Sequence, residues 1–218
     1  MFRVIFVSVI LLSLPVLIGC GGGPDGLVRS SVNLLERKQF TDAETQLRSG
    51  IARFEKKPLT EDDAESVAAA YYLLGQSLEF QGKDGAAQQV YKECLGQYEA
   101  VVTSRLSLFG IVEAHIKSGE TDVAIRTLAP YSTQAEQRAA GWEPIRLGLS
   151  WPLLTPKWSQ SQERARLWVL FCNYMNGNRA SLKQTPNTLI DLNSGGRYAK
   201  FVEALLSQME REKPQAEE

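Results

Sequence analysis

Residues 67 to 98 carry the pattern that most constrains the fold of this chain. Two stretches of helical periodicity are separated by Gly82-Lys83-Asp84-Gly85, a segment typical of a tight turn. Large and small side chains three or four positions apart share one face of each helix. They are Tyr71, Leu74 and Leu78 in the first helix and Ala87, Tyr91 and Cys94 in the second. The sequence therefore predicts a packed helical hairpin, in which the small residues Gly75 and Ala87 allow the helix backbones to approach closely.

This spacing resembles the tetratricopeptide repeat (TPR). That family places an aromatic residue, a Leu-Gly pair and a bulky residue on its first helix, then Ala and an aromatic residue on its second. The matching positions, in order, are Tyr71, Leu74-Gly75, Leu78, Ala87 and Tyr91. The resemblance implies an all-α fold, a TPR-like solenoid of stacked helical hairpins.

A weaker copy of this unit precedes it. The segment from Lys38 to Ala43 resembles the turn and the start of a second helix, with Ala43 and Leu47 at the positions of Ala87 and Tyr91. Thr41 and Glu44 have the spacing of a capping box, which predicts a helix N-terminus at this point.

Another weaker copy follows, and further helices are predicted beyond it. Ser118 to Ala124 resembles the turn of a third hairpin, so the clearest repeats cover residues 27 to 131. Three stacked hairpins can bury a continuous core that one hairpin cannot. A last amphipathic helix is predicted to cap the solenoid, through Tyr198, Phe201, Leu205 and Met209. The helical domain is thus expected over residues 27 to 212, with a disordered tail over 213 to 218.

TPR-like proteins bind extended peptides or partner helices on a concave surface lined by their first helices. By motif position, the residues expected to face that groove are Tyr72, Gln76, Glu79, Phe109, Glu113 and Lys117. The alternative is that these are solvated or packed helix residues without a partner. A similar choice concerns Trp142, Trp151 and Trp158, which either contact a partner or a membrane, or cover the helices as a second core.

The N-terminus has the composition of a secretory leader. After Arg3, an apolar stretch of about 15 residues runs from Val4 to Ile18, whereas a membrane-spanning helix needs about 20. Residues 1 to 19 are therefore predicted to be a signal peptide.

The stretch ends in Leu17-Ile18-Gly19-Cys20, which resembles the bacterial lipobox. The resemblance implies cleavage after Gly19, a diacylglycerol on the Cys20 thiol and often a further acyl chain on the new amine. Residues 20 to 26 would then form the lipidated cysteine and a short tether, with Asp25 as the N-cap of the first helix. Because Gly21 rather than Asp follows the cysteine, the resemblance favours the outer membrane, with the domain facing the periplasm. The alternative is an uncleaved anchor or an ordinary signal peptide.

Composition excludes several classes of function. The formal charge is −1 and no basic cluster is present, so nucleic-acid binding is not expected. The single histidine, His115, occupies a packing position, and there is no CxxC, HExxH or phosphate-binding loop. We therefore expect no catalysis, no metal and no cofactor. Cys94 and Cys172 are either two buried thiols or a disulfide.

Together these features predict a membrane-anchored, TPR-like adaptor that binds protein partners in envelope assembly or secretion. The alternative is a structural accessory subunit of an envelope complex, with no peptide groove in use. A groove filled by the chain's own C-terminal helix, or by the tryptophan-containing segment from Gly141 to Trp158, would favour the alternative.

Overall fold

Helices make up all the regular secondary structure of the described residues. The computed structural model describes residues 22–133, 154–159, 162–175 and 196–211, and within them the all-α prediction is confirmed. The α-helices are α1 (Pro24–Glu36), α2 (Phe40–Phe54), α3 (Glu61–Glu79), α4 (Asp84–Gln97), α5 (Arg105–Ser118), α6 (Thr121–Thr133), α7 (Gln162–Met175) and α8 (Arg197–Arg211), with short 3-10 turns at Val102–Ser104 and Lys157–Ser159. No helix in these ranges is both long and apolar enough to cross a membrane. The predicted leader, Cys20 and the C-terminal tail lie outside the described residues.

The first helix begins earlier than the sequence pattern predicts. Gly23 is its N-cap and Pro24 its first residue, so Asp25 lies within the first turn instead of capping it. Proline suits this position because its φ is already helical and its missing N–H has no partner to lose. The Asp25 carboxylate accepts a hydrogen bond from the Ser66 hydroxyl of α3.

The three helical hairpins close with the same turn geometry. Lys38, Gly82 and Gly119 have φ values of 60, 72 and 79°, respectively, which is the left-handed region. In each turn this residue donates its N–H to the carbonyl three positions back, and the next residue donates to the carbonyl five positions before itself. Glycine adopts this conformation without a side-chain clash. Lys38 differs from the other two residues because it adopts this left-handed conformation with a side chain.

The helix α3 is the centre of the first five helices. It contacts α1, α2, α4 and α5, and consecutive helices from α1 to α6 also pack against each other. Its residues from Val67 to Leu78 are all buried, because α1, α2, α4 and α5 pack around it. The helix α8 packs on α5 and α6.

The ring of Tyr91 fills the space between three helices. It lies against Gly75 of α3 and Gly110 of α5, and a Cβ atom added to either glycine would overlap this ring. Gly75 is the small residue of the predicted repeat. Gly110 is not part of the repeat pattern, but its missing side chain likewise lets α5 approach the Tyr91 ring closely.

The predicted capping box at Thr41 and Glu44 is not formed. The helix α2 begins at Phe40, and its N-cap, Gln39, makes no side-chain cap. Glu44 instead accepts hydrogen bonds from Arg48, Lys83 and Gln81, linking α2 to the turn after α3. Burial raises the pKa of Glu44, but these three hydrogen bonds outweigh it and hold the pKa at about 2.

We expect Gly75→Ala to destabilise the protein by about 1–3 kcal/mol, because the new methyl group forces Tyr91 out of its position. Urea unfolding followed by circular dichroism measures this change. Gly96→Ala is the matched control, since nothing lies within 4 Å of a Cβ atom there. That substitution should stabilise α4 slightly through helix propensity. Equal stability of the two variants would contradict the close packing around Tyr91.

Candidate functional site

The residues predicted to line a partner groove are mostly buried. They lie on α3 and α5, and four of them have a relative exposure of 0%: Tyr72, Gln76, Phe109 and Glu113. The side chain of Glu79 keeps 13% of its exposure and that of Lys117 keeps 50%. Only Lys117 is therefore open to a partner in this structure.

The helix α7 covers the aromatic part of this face. Phe109 makes edge-to-face contacts with Trp168 and Phe171, at ring-centroid distances of 5.0 and 5.5 Å. Trp168 and Phe171 are themselves buried. The side chain of Phe109 is therefore covered by the chain's own helix α7, and a partner-binding role for the six residues stays a prediction.

A buried ion pair joins α7 to the same face. The Arg164 guanidinium donates from Nε to Glu113 Oε1 and from Nη2 to Glu113 Oε2, both at 2.7 Å. The hydroxyl of Tyr198, on α8, donates to Glu113 Oε1 at 3.1 Å. Bidentate geometry of this kind is strong and directional. A single carboxylate of α5 therefore holds both C-terminal helices.

A second carboxylate lies beside this pair. Glu79 accepts a hydrogen bond from the Tyr91 hydroxyl at 3.1 Å, and its Oε2 is 4.0 Å from Lys117 Nζ. Lys117 Nζ is also 3.5 Å from Glu113 Oε1. We call Glu79, Glu113 and Arg164 the buried charge cluster, with the half-exposed Lys117 at its edge. The cluster holds two carboxylates and one cation, contributed by α3, α5 and α7.

The two carboxylates of the cluster differ in their pKa. Burial raises the pKa of Glu113, but the charges of Arg164 and Lys117 outweigh this effect and hold it below its usual value. Burial and the neighbouring Glu113 carboxylate raise the pKa of Glu79 to about 7. Opposite shifts follow because Glu113 has the direct contact with Arg164 and Glu79 does not.

Neutral donors complete the surroundings of the cluster. Gln76 Nε2 donates to the Tyr72 hydroxyl at 3.1 Å, and the rings of Tyr72 and Tyr91 stack with centroids 6.0 Å apart. Burial raises the pKa of both tyrosines above the ordinary value. These phenols therefore stay protonated, and that of Tyr91 serves as a hydrogen-bond donor to Glu79.

The polar contacts of the cluster attach α7 and α8 to α5. The charged groups of the cluster pair with one another. The described residues contain no group of three or more His, Cys, Asp or Glu side chains able to hold a metal. His115 lies at the C-terminal end of α5, where its Nδ1 is 2.6 Å from Glu120 Oε2. The absence of catalysis stays a prediction.

The sequence left two states open for Cys94 and Cys172, buried thiols or a disulfide, and the structure shows buried thiols. Both thiols are buried, and no disulfide joins them. Burial raises the pKa of each to about 12, so neither is a reactive thiolate.

Trp158 packs at the hairpin turns and keeps an exposed edge. Its ring lies 5.8 Å from that of Phe40 and 4.7 Å from that of Phe80, and 42% of the residue remains exposed. Its indole Nε1 donates to the Leu35 carbonyl at 3.2 Å. Trp142 and Trp151 lie outside the described residues.

An open cleft of about 590 Å³ lies between α1 and α3. The apolar side chains that line it are Val28, Val32, Ala69 and Leu154, and the polar ones include Asp25, Arg29 and Glu65. We call it the α1–α3 cleft. The sequence analysis did not predict it. The available signal was Val28 and Val32, which are four residues apart on α1 and only half-buried.

Arg164→Leu should destabilise the protein by about 3–5 kcal/mol, because it leaves the Glu113 carboxylate buried without its partner. The double variant Glu113→Leu/Arg164→Leu should recover much of this loss. Arg29→Leu is the control, since its ion pair with Asp25 is exposed and contributes less than about 1 kcal/mol. Hydrogen exchange should show that Arg164→Leu opens α7 and α8 before α3 and α4. Uniform exchange across all helices would contradict this account of the ion pair.

Stability should fall as the pH rises through the folded-state pKa of Glu79. The folded state favours the protonated carboxyl, so its stabilising effect is complete below the unfolded pKa, near 4.5, and lost above about 7. At pH 8 we expect Glu79→Gln to be more stable than the natural chain by roughly 1–3 kcal/mol, with little difference at pH 4. Urea titrations at several pH values measure this. Glu99→Gln, at an exposed position, should leave the profile unchanged.

Comparisons with protein-family models, curated proteins and solved structures gave no match. The function of the site is therefore inferred from its own residues.

Proposed function

We propose that the chain is a lipid-anchored, TPR-like scaffold that braces a protein assembly at a bacterial membrane. The observation that carries this proposal is the burial of Phe109 and Glu113 on α5, where Phe109 packs on Trp168 of α7 and Glu113 binds Arg164 of α7 and Tyr198 of α8. A peptide-binding TPR-like protein keeps that face open. A face already filled by the chain's own helices leaves the outer surfaces for contact with other subunits.

The TPR-like arrangement is supported by two features of the first six helices. The three hairpins share one turn geometry, centred on Lys38, Gly82 and Gly119. The first helices of successive hairpins also contact each other, α1 with α3 and α3 with α5. Repeated hairpins whose first helices are neighbours are expected of a TPR-like solenoid. In this proposal α7 and α8 form its cap.

The lipid anchor is supported by the lipobox-like Leu17-Ile18-Gly19-Cys20 and by the start of α1. Because α1 begins at Pro24, four residue steps separate Cys20 from the helix, or roughly 14 Å when extended. Two or more acyl chains on Cys20 would hold the domain stably at its membrane. A scaffold tethered so closely acts at the membrane surface, with the outer membrane favoured by Gly21.

The second candidate function is that of an adaptor that binds a partner segment. The observation in its favour is the α1–α3 cleft, which remains open beside the covered face. Its volume lies within the range of about 300–1,000 Å³ that is usual for binding sites. A partner segment would then contact Val28 and Val32 rather than Phe109.

Membrane fractionation and native electrophoresis of the full-length chain test both functions. Cys20→Ala should move the protein from the membrane to the soluble fraction, and intact mass should show the loss of acyl chains. The scaffold function predicts an assembly larger than the chain itself that survives Val32→Asp, because the cleft is not the contact. Loss of the assembly in Val32→Asp favours the adaptor, and a chain that migrates alone contradicts both. Gln89→Asp, at an exposed position of α4, controls for an added charge.

A further inference from the structure

The α1–α3 cleft lies close in sequence to the predicted lipid attachment at Cys20. Asp25, on its rim, is five residues from Cys20, and Val28 and Val32 continue along the same helix. Among the residues that the structure describes, none closes the cleft off from solvent, and its exposed lining is largely apolar. No other described element has this position relative to the tether.

We propose that the α1–α3 cleft holds one acyl chain of lipidated Cys20, an inference that rests on the proposed lipid anchor. The occupant is the chain's own N-terminal modification, and its site is formed by Val28, Val32, Ala69 and Leu154.

The reach of the tether supports this occupant. The described chain starts at Gly22, and a Cβ atom at Gly22 would lie 3.3 Å from Gly26 Cα, so the backbone there turns close to the first turn of α1. From Cys20 to Pro24 the extended span is roughly 14 Å. An acyl chain attached at Cys20 therefore reaches the rim of the cleft without any change in the helices.

The chemistry of the cleft also suits a lipid tail. Methylene groups gain about 0.8 kcal/mol each when they leave water, and the valine, alanine and leucine side chains offer them an apolar surface. Asp25, Arg29 and Glu65 also line the cleft. The Arg29 guanidinium can donate hydrogen bonds to the ester carbonyls at the head of the chain, and the Asp25 carboxylate can accept one from the amide N–H. Glu65 already accepts hydrogen bonds from the backbone N–H and hydroxyl of Thr103, which fixes that side of the rim.

One acyl chain in the cleft is compatible with membrane anchoring. Two chains hold a protein stably at a bilayer, whereas one holds it only marginally. With three chains on Cys20, two remain in the bilayer while the third lies in the cleft. The domain would then be oriented with the N-terminal end of α1 towards the membrane.

A photoactivatable fatty acid tests the proposal in the full-length protein. Bacteria expressing the chain are fed a fatty acid with a diazirine near its terminal methyl group, and their membranes are irradiated. Peptide mass spectrometry then locates the crosslinks. We expect crosslinks within α1 and α3, near Val32 and Ala69. Crosslinks to membrane lipids alone would overturn the proposal.

Variants separate this proposal from the proposed anchor. Val28→Trp narrows the cleft and Val28→Asp places a charge on its lining, so each should reduce the crosslinks to background while the acyl mass on Cys20 persists. Gln89→Trp, on the exposed surface of α4, should keep them, and circular dichroism checks that all variants fold. Acylated protein without crosslinks overturns the cleft proposal alone, whereas unmodified Cys20 overturns the anchor as well.

A photoreactive residue reports on the cleft from the protein side. With p-benzoylphenylalanine in place of Val32, an adduct carrying the mass of an acyl chain supports the proposal. An adduct with a second copy of the chain or with another protein overturns it, because the cleft would then be a protein-binding surface.

Discussion

The packing of one aromatic ring determines how the central helices meet. Tyr91 lies against Gly75 of α3 and Gly110 of α5, so α4 approaches both of its neighbours over positions that have no side chain. Its hydroxyl then reaches Glu79, beside the buried charge cluster. The same residue therefore links the apolar contact of three helices to the carboxylate that lies beside the Glu113–Arg164 pair. Protein interiors are packed so tightly that this ring cannot move without affecting both its apolar and its polar contacts.

The buried charge cluster gives the C-terminal helices a defined position. Hydrophobic contact between Phe109 and α7 is favourable but allows related arrangements, whereas a bidentate Arg164–Glu113 pair allows few. An ion pair of this kind adds little net stability compared with an apolar contact, because both charges lose their water. We infer that its main effect is to specify which surface of α7 faces α5. A consequence of this arrangement is that the neighbouring carboxyl group of Glu79 has a raised pKa.

Under the proposed function, the two regions of the first-helix face have different tasks. Around Phe109 the face is filled by α7 and α8 and stabilises the domain. Around Val32 it is open and adjoins the tether. A short tether and a cleft at the same end of the molecule would bring the membrane, the lipid and the helical domain together, while the outer surfaces of the helices remain for other subunits.

Much of the local structure was predictable from the sequence, because it depends on residues close together in the chain. The helices of the first three hairpins follow from apolar periodicity, and Gly82 and Gly119 mark turns that need a positive φ. The predicted capping box at Thr41 and Glu44 is wrong because the Glu44 carboxylate binds Lys83 and Gln81 of another hairpin instead. The predicted N-cap at Asp25 is wrong because Pro24, which has a helical φ and no N–H, takes the first helical position.

By itself, the sequence determined the helical class, the hairpin turns and the face of each helix that is apolar. Only the tertiary structure decided what covers the face of α3 and α5, since Arg164 and Tyr198 lie 51 and 85 residues from Glu113 along the chain. Periodicity reports that a residue will be buried, but it cannot identify which distant segment buries it. A carboxylate such as Glu113 looks like a solvated or partner-binding group until the fold brings a guanidinium to it. Its role therefore depends on long-range packing, which no local pattern encodes.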